Sequence, residues 1–351
     1  MNCVLHKCFK IRKTYIKSVV ITMLFFVQVA FLLSGCEAPT GKASTTVKIG
    51  VTLYDQYDDY LSQMMDCFRG CFGQDAVLEV YNASQNQQVQ DDQVKRMIED
   101  GCDVICVNLV DRTSPTNIID MAQKNNVPII FFNRELVEED LMQWDRLYYV
   151  GADAFESGIM EGELAAKDFT DGVVTDRNDD QTMQYVVLEG EAGHQDAIVR
   201  TEYSVNAIID AGVEVEKLGY AIANWNQSQA QTKMTQMIDQ YGSAIEVVLA
   251  NNDAMALGAI AAYKESELPR DDWPRIYGID GTAGGIAAIE EGTMQGTVYN
   301  DKEGQALSMY RLAVALAKNE SLEGLYLQDE KYIRMPYAKL TLENVGDYTE
   351  E

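Results

Sequence analysis

The 351-residue sequence predicts an α/β protein with two Rossmann-like domains, each built on a parallel sheet. Short aliphatic runs alternate with helical patterns, and this alternation restarts once, near residue 150. The composition, 47% hydrophobic and 24% charged residues, is that of a globular chain long enough for two domains.

The predicted strands come in two series. The first series is "VKIGVTLY", "AVLEVYN", "DVICVNLV" and "VPIIFFN", all apolar enough to be buried on both faces. Amphipathic segments such as "QDDQVKRMIEDG" lie between them, with Gly101 as the signal for a helix end. After "LYYVGAD" the second series is "QYVVLEG", "EVEKLGYAI", "IEVVLANND", "RIYGIDG" and "GTVYND". Ligands of such sheets bind at the carboxyl ends of strands, so these ends are the places to search.

The N-terminus has the pattern of an export signal. Five basic residues precede the apolar run "SVVITMLFFVQVAFLLSGC". Small residues stand directly before Cys36 and the polar "EAPTGKASTT" follows, which resembles a bacterial lipoprotein signal and implies cleavage before Cys36 with a lipid on its sulfur. We expect a signal peptide over residues 1–35 and a linker over 36–46. The exported protein would then be located at the outer face of the cell membrane or in the periplasm. Its lipid would be its only attachment to the membrane. A single membrane-spanning anchor is the alternative.

The charge of the chain excludes nucleic acid as a partner. The formal net charge is −27. Residues 1–35 hold five basic residues and no acidic one, so their removal leaves 23 basic against 55 acidic residues, a charge of −32. Phosphate binding needs the opposite sign. A transcriptional repressor of the same fold is excluded for this reason, and because the export signal stands where its DNA-binding segment would be.

Four cysteines remain after Cys36. They are Cys67, Cys71, Cys102 and Cys106, and their two C-x3-C spacings do not match a zinc site. We expect buried free thiols, with a disulfide among the four as the alternative.

Polar and aromatic residues follow the predicted strands. They are Asp58, Tyr60, Asn133, His194, Asp196, Arg200, Trp225, Asn252, Asp280 and Asn300. A pyranose has two apolar faces and a rim of hydroxyls, so aromatic rings combined with such polar groups suit it. Asp196 and Arg200 are four residues apart near a helix start and are expected to hold each other. His194 is expected to donate a hydrogen bond to the ligand, with no catalytic role.

Several motifs occur in the order found in a known family. "NLVD", "VPIIFFN", "YYVGAD", "ESGI", "GEAGHQDA", "ANNDAMALGA" and "GTVYND" carry the likeness. From Val47 to about Tyr348 the chain resembles the galactose/glucose-binding proteins of bacterial sugar uptake and chemotaxis, which are type I periplasmic binding proteins. The resemblance implies that the ten residues above contact a sugar. Tyr60 stands where the family has a phenylalanine, so its added hydroxyl needs a partner.

The resemblance also implies a hinge and partners. Two lobes joined by three crossovers are expected, with residues 47–152 and 301–335 in one lobe and 153–300 and 336–351 in the other. The expected ligand is D-galactose or D-glucose, delivered by a monomer to an ABC permease. Presentation of the sugar to a chemoreceptor or sensor kinase is the alternative use. A glycoside hydrolase using Asp58 and Asp280 is a weaker alternative, because the sequence shows no cause for the raised pKa that an acid catalyst needs.

The segment "TDRNDDQTMQYVV" predicts a calcium loop. Oxygen-bearing residues stand at positions 1, 3, 5, 7 and 9 of the loop: Asp176, Asn178, Asp180, Thr182 and Gln184. The usual acid at position 12 is replaced by Val187, and the resemblance implies that Glu246 supplies the carboxylate. Gln181 stands where a glycine is usual, which carries a conformational penalty. A surface loop rich in Asx turns is the alternative.

Overall fold

The computed structural model describes residues 46–348, so the predicted signal peptide and Cys36 lie outside the described residues. The first sheet contains β1 (Val47–Leu53), β2 (Ala76–Asn82), β3 (Val104–Val107), β4 (Ile129–Phe132), β5 (Leu147–Ala152) and β11 (Tyr332–Met335). Its strand order is β2-β1-β3-β4-β5-β11, and every pair is parallel. The helices that pack on it are α1 (Asp59–Gly70), α2 (Gln87–Glu99), α3 (Thr116–Asn125), α4 (Glu138–Leu141) and α10 (Lys302–Lys318).

The second sheet repeats this topology. Its strands are β6 (Thr182–Glu189), β7 (Glu214–Ile222), β8 (Val247–Ala250), β9 (Arg275–Asp280), β10 (Gly296–Asn300) and β12 (Tyr337–Thr341). The order is β7-β6-β8-β9-β10-β12, with only β12 antiparallel to its neighbour. Its helices are α5 (Ala154–Thr170), α6 (Gln195–Asp210), α7 (Gln227–Tyr241), α8 (Asp253–Glu265) and α9 (Ala283–Glu290), and 3-10 turns occur at Gly242–Ala244, Arg270–Asp272 and Val345–Asp347.

Each sheet is covered by helices on both faces. In the first sheet, Met64 of α1 and Leu312 of α10 are buried in a cluster on one face, while Met97 of α2 and Ile119 of α3 belong to a cluster on the other. The strands are therefore buried on both sides, which explains their continuous apolar sequences. The second sheet has the same arrangement, with α7 and α8 against one face and α5 and α6 against the other. The predicted fold class, two parallel-sheet α/β domains, is confirmed.

We call each sheet with its helices a lobe. The chain leaves the first lobe after Ala152, because α5 packs on β9, β10 and β12 of the second sheet. It returns after Asn300, since α10 packs on α1 and β1. Only Pro336 separates β11 of the first lobe from β12 of the second. Three chain segments therefore join the lobes, the arrangement in which two rigid bodies can rotate about a hinge.

The expected burial of the cysteines holds only in part. Cys102 and Cys106 are buried free thiols, whereas the free thiol Cys71 is only partly buried, as is Cys67. No helix within residues 46–348 has the length and apolar character required to cross a membrane.

Candidate functional site

A cavity lies at the carboxyl ends of strands from both sheets. Its wall consists of Tyr54, Asp58, Tyr60, Asn133, Arg134, His194, Asp196, Arg200, Trp225, Asn252 and Asp280. Nine of the ten predicted site residues are in this wall. Tyr54 and Arg134 are additional, and the strand-end rule could have found both, since Tyr54 directly follows β1 and Arg134 comes two residues after β4.

Three of the predicted residues are the N-caps of helices that begin at the cavity. Asp58 Oδ1 accepts from the N–H of Leu61 at the start of α1, at 2.9 Å. Asn252 Oδ1 accepts from the N–H of Met255 at the start of α8, at 3.0 Å. His194 caps α6. Each side chain is thereby fixed in place by its own helix.

The capping bond of His194 defines what its imidazole can do. Nδ1 accepts from the N–H of Asp196 at 3.1 Å, so in the neutral ring the proton is on Nε2. Burial lowers the pKa of His194 to about 4, which keeps the ring neutral near pH 7. The imidazole is therefore arranged to donate one hydrogen bond from Nε2, as the sequence predicts.

Arg200 forms its ion pair with Asp280, at 3.7 Å, rather than with Asp196, which the i,i+4 spacing predicts. Its Nη1 donates to the carbonyl of Asn251 at 2.7 Å, and Nη2 donates to the hydroxyl of Tyr337 at 3.3 Å. The tertiary arrangement outweighs the local spacing because Arg200 lies on the face of α6 turned toward the ends of β8 and β9. The guanidinium is 4% exposed and is held at three points.

Asn300 is the predicted residue outside the cavity wall. It is buried at the end of β10, and its side chain forms a hydrogen bond with Asp280. The side-chain amide of Gln305 donates to Asn300 in turn. Asn300 is thus placed to orient Asp280.

Both lobes supply aromatic rings to the cavity, Tyr54 and Tyr60 from the first and Trp225 from the second. Tyr60 comes from the first turn of α1 and is 3% exposed. Trp225 comes from the turn between β7 and α7, where its ring meets that of His194 edge-on with centroids 5.3 Å apart. Gly190 lies directly under the Trp225 indole, and a β-carbon there would collide with the ring. A glycine is therefore required at this position for Trp225 to reach the cavity.

Three cavity residues have a positive φ. Asn133 and Trp225 both have φ of 60°, and Asp280 has φ of 123°. Asparagine tolerates φ near 60°, tryptophan rarely adopts it, and φ of 123° at Asp280 lies beyond the small left-handed helical region. Such conformations persist where the surroundings enforce them, and they cluster at ligand sites. The backbone of Trp225 and Asp280 therefore agrees with a ligand site in this cavity.

Tyr54 and Arg134 form a polar group that includes Asp58. The hydroxyl of Tyr54 donates to Asp58 Oδ2 at 2.7 Å. The guanidinium of Arg134 lies 3.5 Å above the Tyr54 ring and donates to the carbonyl of Val110 at 3.0 Å. Both oxygens of Asp58 thus have a protein donor, and the cation is stabilised by an aromatic face.

The cavity contains charged groups of both signs. Three carboxylates, Asp58, Asp196 and Asp280, are accompanied by the guanidiniums of Arg134 and Arg200. Burial raises the pKa of Asp58 and raises that of Asp280 well above its usual value, the nearby Arg200 opposing the second shift. A buried site with paired charges and a neutral histidine suits an uncharged ligand rich in hydroxyls, because charged groups make the stronger hydrogen bonds to it.

The predicted calcium loop lies at the opposite end of the second sheet, before β6. Asp176 accepts from the N–H groups of Asp180, at 3.2 Å, and Gln181, at 2.8 Å. The two carboxylate oxygens of Glu246 accept from the N–H groups of Arg177, at 2.6 Å, and Gln184, at 3.0 Å. Asp180 also accepts from the side-chain amides of Asn178 and Gln184. The residues predicted from the sequence thus form one connected group.

Whether this group suits calcium depends on its donors. They are carboxylate, amide and hydroxyl oxygens, the donor types that Ca²⁺ prefers. Within residues 46–348 there is no group of three or more His, Cys, Asp or Glu side chains that could hold a metal ion, so the ion would need the amide and hydroxyl oxygens as well. Gln181 has φ of 62°, the conformation for which a glycine is usual. Burial raises the pKa of Glu246, and Asp176 and Asp180 raise it further. A cation would relieve that repulsion, so the donor set fits.

Comparison with known proteins agrees with the two-lobe fold and with a solute-binding role. Residues 49–321 match the model of a family described as a periplasmic binding protein domain. The D-galactose/methyl-galactoside binding periplasmic protein of Haemophilus influenzae is 33% identical over 91% of this chain and 97% of its own length. A putative rhizopine-binding protein of Rhizobium meliloti is 28% identical over 90% of this chain and 94% of its own.

A solved structure shows the same fold. An ABC transporter solute-binding protein of Bacillus halodurans, crystallised with myo-inositol, superposes with a TM-score of 0.74. It is 29% identical, and the superposition covers 87% of this chain and 98% of that one. These relatives bind solutes and are not enzymes, which confirms the expectation of a non-enzymatic protein. The extracytoplasmic location of such proteins likewise agrees with the predicted export signal. The chain therefore belongs to the periplasmic binding protein family, whose members capture solutes outside the cytoplasm for ABC transporters.

Proposed function

We propose that this protein captures one molecule of D-galactose or D-glucose between its lobes and delivers it to an ABC permease. The observation that carries the proposal is the composition of the cavity, in which the rings of Tyr54, Tyr60 and Trp225 accompany eight charged or polar residues. The ligands named for two relatives, a galactoside and myo-inositol, are also hydroxyl-rich six-membered rings.

The polar groups are suited to the rim of such a ring. Asp58, Asp196 and Asp280 would accept from sugar hydroxyls, while Arg200 and His194 Nε2 would donate to them. Asn133 and Asn252 carry both donor and acceptor atoms. Tyr60 and Trp225 would cover the apolar faces of the sugar, which are otherwise costly to expose to water. Domain closure would then remove the ligand from solvent almost completely.

A sugar panel tests this proposal directly. We expect D-galactose or D-glucose to raise the melting temperature of the domain over residues 37–351, because a ligand that binds only the native state stabilises it. Trp225→Ala should weaken binding by roughly 2 kcal/mol in calorimetry, through loss of the stacking ring and its burial. Trp273→Ala is the matched control, since Trp273 packs against Tyr263 and Arg270 and does not belong to the cavity wall. Equal affinity in both variants and the parent would contradict the assignment.

We also propose a structural calcium ion in the loop of Asp176, Asn178, Asp180, Thr182 and Gln184, completed by Glu246. The loop leads into β6, which ends before His194, and Glu246 directly precedes β8, which ends before Asn252. An ion there would tie together the starts of two strands whose far ends carry cavity residues. Its expected role is stability, because the loop and the cavity lie at opposite ends of the sheet.

Attachment to the membrane is proposed through a lipid on Cys36. The support is the sequence pattern around Cys36, which lies outside the described residues. The mature protein should partition with membranes, and Cys36→Ser should release it or leave the precursor uncleaved. Wild-type protein recovered unmodified and freely soluble would contradict the anchor.

A further inference from the structure

Two buried polar atoms of the cavity have no hydrogen-bond partner. Among the described residues six buried side-chain polar atoms are in this condition, and two of them, the hydroxyl of Tyr60 and Nε of Arg200, belong to cavity residues. Both residues are almost fully buried, at 3% and 4% exposure. Buried polar groups are nearly always paired in folded proteins, so each exception calls for an explanation.

The two atoms belong to residues that line one cavity from opposite lobes. Arg200 uses Nη1 for the carbonyl of Asn251 and Nη2 for the hydroxyl of Tyr337, while its buried Nε has no acceptor. Asp280 lies 3.7 Å from the guanidinium. The charges of Asp280 and Arg200 are among those that act on the pKa of Tyr60, which burial raises well above its usual value. Tyr60 of the first lobe thus shares the cavity with the Arg200–Asp280 pair of the second.

A phenylalanine would fill the same space without leaving a hydroxyl unpaired. The ring alone would still stack on an apolar sugar face, so the hydroxyl adds nothing to stacking. Left without a partner, it is a net cost to the folded protein. A tyrosine whose ring covers a sugar face extends its hydroxyl past the edge of that ring, where the substituents of the sugar lie.

We propose that the hydroxyl of Tyr60 and Nε of Arg200 together bind one oxygen substituent of the captured ring, so that Tyr60 determines which sugars are accepted. The inference rests on the proposed sugar-binding function and narrows the ligand class. The accepted ligand is a six-membered polyhydroxylated ring with an oxygen at the edge facing Asp280. Rings that lack this oxygen leave two buried donors unpaired and bind more weakly.

Tyr60→Phe tests the inference when it is combined with deletions on the sugar. The probes are D-galactose and D-glucose with their 2-, 3-, 4- and 6-deoxy analogues, measured by calorimetry on the wild type and the variant. Tyr60→Phe should weaken binding of the better parent sugar roughly threefold to tenfold, the value of one hydrogen bond. One deoxy analogue should bind both proteins equally, since its missing oxygen is the partner of the hydroxyl.

Tyr263→Phe is the matched control. Tyr263 also has a buried hydroxyl without a partner, but it lies in the core of the second lobe, in contact with Trp273. It should change the melting temperature without changing the order of sugar affinities. A melting curve for each variant separates loss of folding from loss of binding.

The outcomes distinguish the two proposals. If Tyr60→Phe shifts the affinity of every sugar by one common factor, or by none, the selectivity role of Tyr60 is wrong while sugar binding stands. If the folded wild type binds no sugar of the panel, the proposed function is wrong and this inference is lost with it. A single deoxy analogue insensitive to the substitution supports both proposals and identifies the contacted hydroxyl.

Discussion

The guanidinium of Arg134 lies 2.8 Å from the carboxylate of Glu191, and the two residues belong to different lobes. Arg134 follows β4 and is 4% exposed, whereas Glu191 follows β6 and its side chain is about half exposed. A second contact between lobes, from the N–H of Ala283 to the side-chain carbonyl of Gln63 at 3.1 Å, accompanies the pair. The lobes are therefore in contact beside the cavity, as in a closed binding protein.

Glu191→Gln should speed the release of sugar. The ion pair exists only while the lobes are closed, so its loss destabilises the closed form without altering the cavity wall. Because Glu191 is half exposed, we expect a modest effect, roughly a twofold to fivefold rise in the dissociation rate. Stopped-flow measurement of release checks this, with the exposed Glu323→Gln in the first lobe as control. Identical release rates in the two variants would show that the pair does not hold the lobes.

Stability should fall as the pH drops from about 6.5 to 4, because His194 is buried as the neutral ring. Its pKa in the folded protein is about 4, below the usual 6.5, so the unfolded chain binds the proton more readily in this interval. The resulting loss is at most about 3 kcal/mol. His194→Asn retains a capping oxygen and should remove this part of the pH dependence.

The pKa of His194 can be measured without interference from other histidines. His6 lies in the predicted signal peptide, so His194 is the only histidine after residue 35. An NMR titration of the mature protein should show one imidazole with a pKa well below 6.5. A midpoint at 6.5 in the folded, sugar-free protein would contradict the buried neutral ring.

Glu161 should act in the opposite direction with pH. It is fully buried in α5, its Oε1 accepts from the N–H of Ala250 at 3.1 Å, and its Oε2 has no partner. Burial raises its pKa to about 8, so the stability that the protonated acid contributes below 4.5 is lost as the pH rises through 8. Glu161→Gln does not ionise and should be more stable than the wild type at pH 9, with a smaller difference at pH 5.

Urea unfolding at both pH values checks this expectation. Glu163→Gln is the control, since Glu163 lies on the same helix with its side chain half exposed and paired to Lys339. A difference in unfolding free energy that does not depend on pH would mean that Glu161 is not the titrating group.

Calcium should raise the melting temperature, and a chelator should lower it without abolishing sugar binding. Gln181→Gly should strengthen calcium binding, because Gln181 is held at φ of 62° and a glycine there removes a penalty of about 1 kcal/mol. Isothermal titration with Ca²⁺ measures the change. Asp179 is also at positive φ in the same loop and provides the control. Asp179→Gly should relieve similar strain but does not place a glycine at position 6 of the loop, so it should not strengthen calcium binding. Melting curves insensitive to both chelator and added calcium would favour the surface-loop alternative.

The sequence was informative about the fold and about which residues meet, because both depend on simple rules. Doubly buried parallel strands have continuous apolar sequences, and their carboxyl ends share one edge of each sheet, so nine residues scattered from Asp58 to Asp280 could be placed together. The short β11 and β12 were not predicted, since four or five residues after a long helix carry little pattern.

It was harder to predict which site residues form ion pairs with each other than to predict which residues belong to the site. The partner of Arg200 is Asp280, 80 positions away, because the choice between local and distant carboxylates depends on the angle at which α6 crosses the sheet. The φ of 123° at Asp280 has no local signal either, since it lies outside the left-handed helical region that aspartate sometimes adopts. Arg134 is not among the predicted residues, because the neighbouring Asn133 had already been assigned as the polar residue at the end of β4.

The segment 332–341 supplies the outermost strand of both sheets, β11 to one and β12 to the other. A ribosome has to translate residues 332–341 before either sheet can be finished. Until then each lobe exposes an edge that lacks its last neighbour, which limits the stability of any partly made product. This delay would favour export through a translocation channel that accepts only unfolded polypeptide, because the nascent chain would not fold before it crosses the membrane.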